Sequence, residues 1–222
     1  MSFVAVVPVR AGSKGLPGKN TRLLAGIPLY RHSIDAALAA GASRVIVSTD
    51  ISEILFAKLP DRVYVLSRPL ELTGDSVAMA PVLLHAISEA CIEGAIVILQ
   101  ATSPLRSASD IEAALSVYAS GEHDLVMSVT QADSGVLKWG FLDKNRFRPI
   151  ADPSYCFSNR QSLPIVVRPN GAVYVMNAEW FQARGTFVTN RIGVIEMSPE
   201  RSKDIDTLID FEICEVFLRQ LS

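Results

Sequence analysis

A glycine-rich, cationic segment follows the first apolar run of this 222-residue sequence. Residues 8–20 read PVRAGSKGLPGKN and carry Arg10, Lys14 and Lys19 among three glycines. Glycines let a backbone approach phosphate oxygens closely, and successive backbone N–H groups can form an anion-binding nest. The segment therefore predicts a phosphate site, and a solvated connection between a strand and a helix is the alternative.

The best-known phosphate loops do not match this segment. Five residues separate Gly12 from Gly18, one more than a Walker A loop has, and Asn20 stands where that loop has Ser or Thr. The glycine spacing also differs from the GxGxxG pattern of dinucleotide-binding folds. The sequence thus predicts a phosphate cradle of another kind.

An acidic pair near the carboxyl end of the sequence is the second candidate for chemistry. The side chains of Asp204 and Asp206 point to the same side of the chain if the backbone is extended, because alternate residues of a strand point the same way. On a helix they would not share a face. Thr207 and Asp210 resemble a capping box, which predicts that the last helix begins after the pair. Mg²⁺ prefers one or two carboxylates together with phosphate oxygens. A favourable interaction of acids with a helix N-terminus is the alternative interpretation.

Composition narrows the function classes. Apolar residues make up 49% of the sequence and the net charge is −2, so no nucleic-acid footprint is expected. The three cysteines show no CxxC spacing, which argues against a zinc site or a disulfide framework. We expect a cytoplasmic protein without a signal peptide or a membrane-spanning helix.

Short apolar runs alternate with helical patterns along most of the chain. This order predicts an α/β fold with a doubly wound, mostly parallel sheet, because apolar strands between helices are buried on both faces. The predicted strands are residues 3–8, 44–48, 63–66, 95–99, 125–129, 171–176 and 191–195. The predicted helices are residues 29–40, 81–91, 109–119 and 208–221.

The pattern breaks after about residue 130. Residues 138–162 hold polar, aromatic and turn residues without helical period. We divide the chain into a nucleotide-binding domain of residues 1–130 plus 165–222 and an inserted arm of residues 131–164. The aromatic residues of the arm suit an interface, and packing against its own domain is the alternative.

Six stretches together resemble the acylneuraminate cytidylyltransferases, which include the CMP-N-acetylneuraminate synthetases and enzymes for related nonulosonic acids. They keep the family's order and span nearly the whole chain. Besides the opening loop they are VSTD at 47–50, RPLELTGD at 68–75, LQATSPLR at 99–106, RQSLPIVVRPNGAVYV at 160–175 and DIDTLID at 204–210. Ala101 departs from the proline of the family's LQPTSPLR stretch.

The resemblance implies a Rossmann-like nucleotidyltransferase that forms a CMP-sugar and pyrophosphate from CTP and a nine-carbon sugar acid. It implies Mg²⁺ on Asp204 and Asp206, and a homodimer joined through the arm. The catalytic residues that it implies are Arg10, Lys19 and Asp206. The nucleotide-binding residues are Ala11, Gly12, Ser13, Lys14, Asn20, Arg68 and Met79. The residues that bind the sugar acid are Gln100, Thr102, Ser103, Lys138, Arg160, Arg168, Tyr174 and Phe187, with Lys138 and Phe187 contributed across the dimer interface.

Two other activities remain open at this point. One is a 3-deoxy-manno-octulosonate cytidylyltransferase, whose loop typically lacks the SKG…KN combination. The other is a sugar-1-phosphate nucleotidyltransferase using another nucleotide, which does not explain Arg160 and Arg168. A non-catalytic nucleotide-binding module is a third possibility. Met79 stands where bacterial sialic-acid members have a small hydroxyl residue against the base, so cytosine selection would rest on backbone groups, Arg68 and Asn20.

Overall fold

A seven-stranded sheet forms the centre of the computed structural model, which describes residues 1–13, 15–74 and 76–221. The described strands are β1 (Val4–Val9), β2 (Leu23–Leu24), β3 (Ile27–Pro28), β4 (Arg44–Thr49), β5 (Val63–Ser67), β6 (Ala95–Ile98), β7 (Leu125–Ala132), β8 (Gly140–Asp143), β9 (Arg146–Pro149), β10 (Val166–Asn177) and β11 (Ile192–Glu196). The helices are α1 (Leu29–Ala39), α2 (Ser52–Leu55), α3 (Met79–Glu89), α4 (Ala108–Tyr118), α5 (Ala178–Arg184) and α6 (Leu208–Leu221).

The sheet runs in the order β11-β7-β10-β6-β1-β4-β5. Neighbouring strands are parallel except at β10, which is antiparallel to both β6 and β7. The predicted doubly wound, mostly parallel α/β fold is therefore confirmed. The direction of β10 was not predicted, because an apolar run has the same pattern whichever way the strand points.

Alternate residues of β1 enter cores on opposite faces of the sheet. Val4 and Val6 pack with Leu83 of α3, whereas Ala5 and Val7 pack with helices α1 and α4. Each fully buried aliphatic side chain contributes about 1.5–3 kcal/mol. Burial on both faces explains why these strands are continuously apolar.

Most predicted elements agree with the structure to within two residues at each end. The predicted strand 171–176 is longer, since β10 also includes the segment from Val166 that pairs with the end of β7. A register shift between Pro169 and Tyr174 interrupts the ladder. The short elements β2, β3, α2 and α5 were missed, because two to seven residues show too little periodicity to be recognised.

The predicted arm contains the hairpin of β8 and β9, flanked by single turns of 3₁₀ helix. Large apolar side chains are exposed on this segment: Trp139, Phe141, Leu142, Phe147, Ile150 and Phe157. The division into a nucleotide-binding domain and a dimerisation arm stays a prediction. Among the described residues, no helix combines the length and apolar character needed to cross a membrane.

A small third core joins the cationic loop to the last helix. Leu16, in the middle of the loop, packs with Ile205 and with Phe211 of α6. All three side chains are buried. This core brings the cationic loop against the acidic pair, although almost two hundred residues separate them in the sequence.

Candidate functional site

A cleft of about 320 Å³ opens at the carboxyl edge of the parallel strands. Ligands of open α/β sheets bind at this edge, because the loops that leave neighbouring strands converge there. The described residues that line it are Pro8, Arg10, Ser13, Lys19, Asn20, Arg68, Leu72, Gly74, Val77, Met79, Val82, Gln100, Ala101, Thr102, Asp204 and Asp206. The cleft thus combines three cations with two carboxylates.

The cationic loop is tied down at both ends. The backbone N–H of Ala11 donates to Asp50 Oδ1 at 2.8 Å, just after β4. Nδ2 of buried Asn20 donates to the carbonyl of Arg10 at 2.9 Å, which closes the loop on itself. Oδ1 of Asn20 is buried and has no hydrogen-bond partner among the described residues. The loop is therefore held in shape, with one buried polar atom left without a partner among the described residues.

Lys19 faces the acidic segment at the start of a short 3₁₀ turn. Its ammonium group donates to the carbonyl of Ile205 and lies 3.3 Å from Asp206 Oδ1. The lysine side chain is buried, whereas that of Asp206 is 76% exposed. A buried ammonium needs such acceptors, since an unpaired charge is costly away from water.

The acidic pair lies on extended backbone immediately before α6. The backbone N–H and the hydroxyl of Thr207 donate to the Asp210 carboxylate, and the backbone N–H of Asp210 donates to Thr207 Oγ1. These bonds form the predicted capping box. Although burial opposes it, hydrogen bonds from Thr207 and Lys203 lower the pKa of Asp210 to about 2. The backbone N–H of Ile205 donates to the carbonyl of Thr102 at 2.9 Å, which attaches this segment to the loop after β6. The cap and this bond hold both carboxylates on the cleft.

Gly15 lies directly against the acidic segment. A Cβ at this position would overlap the backbone carbonyl of Asp206. Gly15 therefore allows the close approach of the loop to the acidic pair.

Asp204 differs from Asp206 in its surroundings. Its side chain is half-buried, and Oδ1 has no hydrogen-bond partner among the described residues. Burial raises the pKa of Asp204, while a hydrogen bond from Thr102 lowers it and the charge of Asp206 raises it further. An orphaned carboxylate oxygen beside a second carboxylate fits a divalent cation that takes its other ligands from phosphate and water.

Arg68 lies on the opposite wall, one residue after β5. Nη2 donates to the backbone carbonyl of Ser48 at 2.8 Å, and the residue is 7% exposed. Burial lowers the pKa of Arg68, and the nearby Asp50 raises it. The guanidinium is thus a fixed, positively charged part of the wall.

A second cavity of about 270 Å³ adjoins the cleft. Its described lining consists of Met79, Ile98, Gln100, Tyr174 and Phe187, and Met79 and Gln100 also line the cleft. The ring centroids of Tyr174 and Phe187 are 6.1 Å apart. Burial raises the pKa of Tyr174, as does the charge of Asp204. A charged, polar compartment and an aromatic one therefore share a wall.

The structure brings together part of the predicted site. Arg10, Ser13, Lys19, Asn20, Arg68, Met79, Gln100, Thr102, Tyr174, Asp204 and Asp206 line one of the two cavities. Lys14 lies outside the described residues. Ala11 and Gly12 occupy the exposed part of the loop, and buried Ser103 is not among the described lining residues of either cavity.

Phe187 lines the apolar cavity of its own chain. The resemblance implies that it also reaches a site across a dimer interface, and that contact stays a prediction. Its ring packs on Phe181 of α5 with a centroid distance of 4.9 Å, and this contact holds it beside Tyr174. Because helix α5 was not predicted, the contact of Phe187 with Phe181 in the same chain could not be predicted either.

Three predicted cations lie on the arm or on the segment of β10 next to it. Lys138 donates to the carbonyl of Ser158 at 2.5 Å, and Arg160 pairs with Asp133 at 3.0 Å. Arg168 is exposed on β10 opposite Thr130. None of the three is among the described residues that line the cavities.

Sequence reasoning overlooked other residues that shape the site. Asp50 belongs to the VSTD stretch, but its bond to the cationic loop depends on the register of β1 with β4. Ile98 was assigned to a strand core, although it also lines the apolar cavity. Arg106 ends the LQATSPLR stretch and holds the backbone of Gln100, a contact that no local signal indicates.

Comparison with known proteins identifies the family. The sequence pattern of the cytidylyltransferases matches residues 4–154. This chain belongs to the cytidylyltransferase family. The match includes the cationic loop, the loop after β6 and much of the arm, whereas the acidic pair lies beyond it.

Two curated relatives align with nearly the whole chain. An N-acylneuraminate cytidylyltransferase of Streptococcus agalactiae is 32% identical over 95% of this chain and 52% of its own length. A CMP-N,N'-diacetyllegionaminic acid synthase of Legionella pneumophila is 29% identical over 97% of this chain and 95% of its own length. The chain therefore spans about half the length of the streptococcal relative and nearly all of the Legionella one.

The fold also matches a solved structure. A CMP:2-keto-3-deoxy-manno-octonic acid synthetase, solved in complex with CTP, superimposes with a TM-score of 0.74 over the full length of both chains. The two sequences are 18% identical. At this level of identity the likeness concerns the Rossmann-like fold.

Proposed function

We propose that this chain transfers the cytidylyl group of CTP to the anomeric hydroxyl of a nonulosonic acid, forming a CMP-sugar and pyrophosphate. One observation carries the proposal: a cleft with cations and carboxylates shares Gln100 and Met79 with an aromatic cavity. A nucleoside triphosphate and a sugar acid can lie side by side in these two compartments. The names of the relatives support the same chemistry.

The triphosphate lies along the cationic loop. Arg10 and Lys19 stabilise the negative charge on the α-phosphate and on the departing pyrophosphate. The backbone of Gly12 and Ser13, together with Lys14, cradles the rest of the chain of phosphates. Cytosine lies towards Arg68, Asn20 and Met79, where the buried Oδ1 of Asn20 has no hydrogen-bond partner among the described residues. Fixed donors of this kind cost no reorganisation at the moment of reaction.

Asp204 and Asp206 would hold Mg²⁺ against the phosphates. The orphaned oxygen of Asp204 and the exposed carboxylate of Asp206 fit an ion with few protein ligands. When bound, the ion neutralises phosphate charge and favours the ionised form of a coordinated hydroxyl. Lys19 leaves Asp206 as the phosphates arrive, because they replace the carboxylate as its partner.

The sugar acid occupies the aromatic cavity with its anomeric hydroxyl towards the cleft. The hydroxyl oxygen forms a bond to the α-phosphorus, its proton passes to water, and the bond from that phosphorus to the pyrophosphate oxygen breaks. The sugar C–O bond stays intact, so the anomeric configuration is retained. Gln100, Thr102 and Ser103 contact the sugar hydroxyls directly or through their backbone, and Tyr174 and Phe187 pack on its apolar parts.

The active form is a cytoplasmic homodimer joined through the arm. The exposed side chains of Trp139, Phe141 and Phe157 on the arm support this, since they would otherwise face water. Lys138 and Arg160 on the arm, and Arg168 beside it on β10, reach the sugar acid of the partner subunit. Arginine suits this role because its planar fork matches a carboxylate.

A pyrophosphate-release assay tests the activity. The purified chain is supplied with Mg²⁺, each of the four ribonucleoside triphosphates, and a panel of N-acetylneuraminate, its deaminated analogue, legionaminate, pseudaminate and 3-deoxy-manno-octulosonate. We expect release with CTP and at least one nine-carbon acid. Absence of release with CTP and every nine-carbon acid would contradict the proposal. A preference for the eight-carbon acid, or for UTP with a sugar phosphate, would replace it with one of the alternatives.

A further inference from the structure

Arg106 is a buried cation directly behind the wall that separates the two cavities. It follows the TSPL turn after β6 and is 4% exposed. Nε donates to the carbonyl of Ala172 at 2.7 Å, Nη1 to the hydroxyl of Ser33 at 3.0 Å, and Nη2 to the carbonyl of Gln100 at 2.5 Å. The guanidinium thus joins α1, the end of β6 and the irregular part of β10.

Among the described residues, the hydrogen-bond partners of the Arg106 cation are neutral groups. Two of its acceptors are backbone carbonyls and one is a hydroxyl, while Asp110 is engaged by Ser107 and Arg201. Burial lowers the pKa of Arg106 to about 9, against the effect of Asp110, which raises it. Burying a charge without a direct carboxylate partner is costly. Burial of the Arg106 charge destabilises the fold, and the residue lies directly behind the two cavities, which points to a role of this residue in ligand binding.

The residue that Arg106 holds lines both cavities. The carbonyl of Gln100 accepts from Arg106 and also from Ser33 Oγ at 3.3 Å. The side-chain amide of Gln100 lies against Gly171, where a Cβ would come within 2.8 Å of Oε1. Gly171 also has a φ of +79°, a conformation that favours glycine. Because residue 171 is a glycine, the amide of Gln100 can lie directly against its backbone.

Arg106 links the two parts that hold Gln100. One donor holds the backbone of Gln100, and another holds Ala172, the residue after Gly171. If Arg106 no longer joins the backbone of Gln100 to that of Ala172, the side-chain amide of Gln100 is no longer held against Gly171. The fork geometry matters here, because a lysine ammonium cannot span three acceptors in one plane.

We propose that Arg106 is a positioning residue for the transfer: it holds Gln100 in the orientation in which its amide contacts the sugar acid. The inference rests on the proposed function, since it takes the ligand of Gln100 to be that acid. It does not concern the binding of CTP, whose phosphates lie on the cationic loop.

A double-mutant cycle on kcat/KM for the preferred sugar acid tests the proposal. Arg106→Lys is expected to lower kcat/KM about tenfold, mainly through KM for the acid, with KM for CTP almost unchanged. In the Gln100→Ala background the same change is expected to have little further effect, because coupled residues are not additive. Ser33→Ala, a milder change, is expected to shift KM for the acid in the same direction. Multiplicative losses in the double variant would overturn the proposal.

Arg44→Lys is the matched control. Arg44 also donates to two backbone carbonyls, those of Ala90 and Cys91, but it lies at the amino end of β4, away from the carboxyl ends of the strands where the cleft opens. We expect no change in KM for the acid. An equal loss in this variant would mean that arginine-to-lysine changes act through general stability, which would overturn the proposal.

A second readout does not depend on turnover. The ¹⁵N relaxation of the side-chain amide of Gln100, assigned by its absence in Gln100→Ala, reports its order in the free protein. We expect an ordered amide in the wild type and in Arg44→Lys, and a mobile one in Arg106→Lys. Equal order in Arg106→Lys would overturn the positioning role. A wild-type chain without turnover but with this difference would contradict the proposed function alone.

Discussion

The ammonium nitrogen of Lys19 lies 3.3 Å from Oδ1 of Asp206, so the proposed phosphate ligand and the proposed metal ligand pair with each other in the free chain. The lysine is buried and also donates to the carbonyl of Ile205. The pair therefore compensates the lysine charge until substrate arrives. Binding of a metal–nucleotide complex supplies a new partner to each residue, which favours joint binding of the two.

Replacement of Asp206 tests the acidic pair. Asp206→Asn is expected to lower kcat by at least about a hundredfold, because charge stabilisation at the phosphates is lost. The fold should persist, since the carboxylate is 76% exposed. Steady-state kinetics in Mg²⁺ and thermal unfolding measure the two effects. Asp35→Asn, which removes an acid that is paired with Arg31 outside both cavities, serves as control. Near-normal turnover of Asp206→Asn would eliminate the metal role.

The raised pKa of Asp204 predicts a stability that depends on pH. The folded chain keeps this proton at pH values where the unfolded chain has lost it, so the free energy of unfolding falls as the pH rises between the two pKa values. Above the folded pKa the cost of the buried charge is fully present. Asp204→Asn should therefore be more stable than the wild type at pH 7.5 without metal. The difference should shrink as the pH falls through the raised pKa towards 4.

Thermal unfolding in a chelator at several pH values measures this difference. The same variant should gain less from added Mg²⁺ and CTP than the wild type does, because ligands stabilise only the state that binds them. A wild type more stable than Asp204→Asn at pH 7.5 without metal would contradict the burial argument. Equal ligand-induced shifts in the two proteins would contradict the metal role.

The aromatic cavity predicts a selective loss of sugar binding. Phe187→Ala removes one wall, and we expect kcat/KM for the acid to fall about tenfold or more, while KM for CTP stays close to that of the wild type. Phe56→Ala removes a phenyl ring that is 89% exposed and is the matched control. If Phe187→Ala weakens CTP and the acid equally, the cavity is not the sugar compartment.

Mixed dimers test whether Arg168, beside the arm, completes the partner's site. Asp206→Ala and Arg168→Ala chains, each expected to be inactive alone, are co-expressed with different tags. If Arg168 serves the partner's cleft, half of the dimers are mixed and one of their two sites is intact, so about a quarter of the wild-type activity returns. If Arg168 serves its own cleft, every site lacks one residue and no activity returns. Light scattering of the wild type checks the dimer itself.

Local patterns in the sequence determined much of this protein. Apolar runs with intervening helical periods predicted the sheet and its layers, because burial on both faces demands continuous apolar strands. The capping box at Thr207 and Asp210 predicted the start of α6, and with it the extended backbone of the acidic pair. The charge, glycine spacing and position of residues 8–20 predicted a phosphate site, and this stays a prediction.

The tertiary structure decided which of these residues meet. The burial of Leu16 against Ile205 brings the cationic loop to Asp206, and the pairing of β1 with β4 brings Asp50 to Ala11. The antiparallel direction of β10 and the unpredicted α5 place Tyr174 and Phe187 in one cavity of the same chain. Such contacts depend on strand order and packing over long sequence separations. Local propensity and spacing carry no record of them, so residue types were predictable whereas their partners were not.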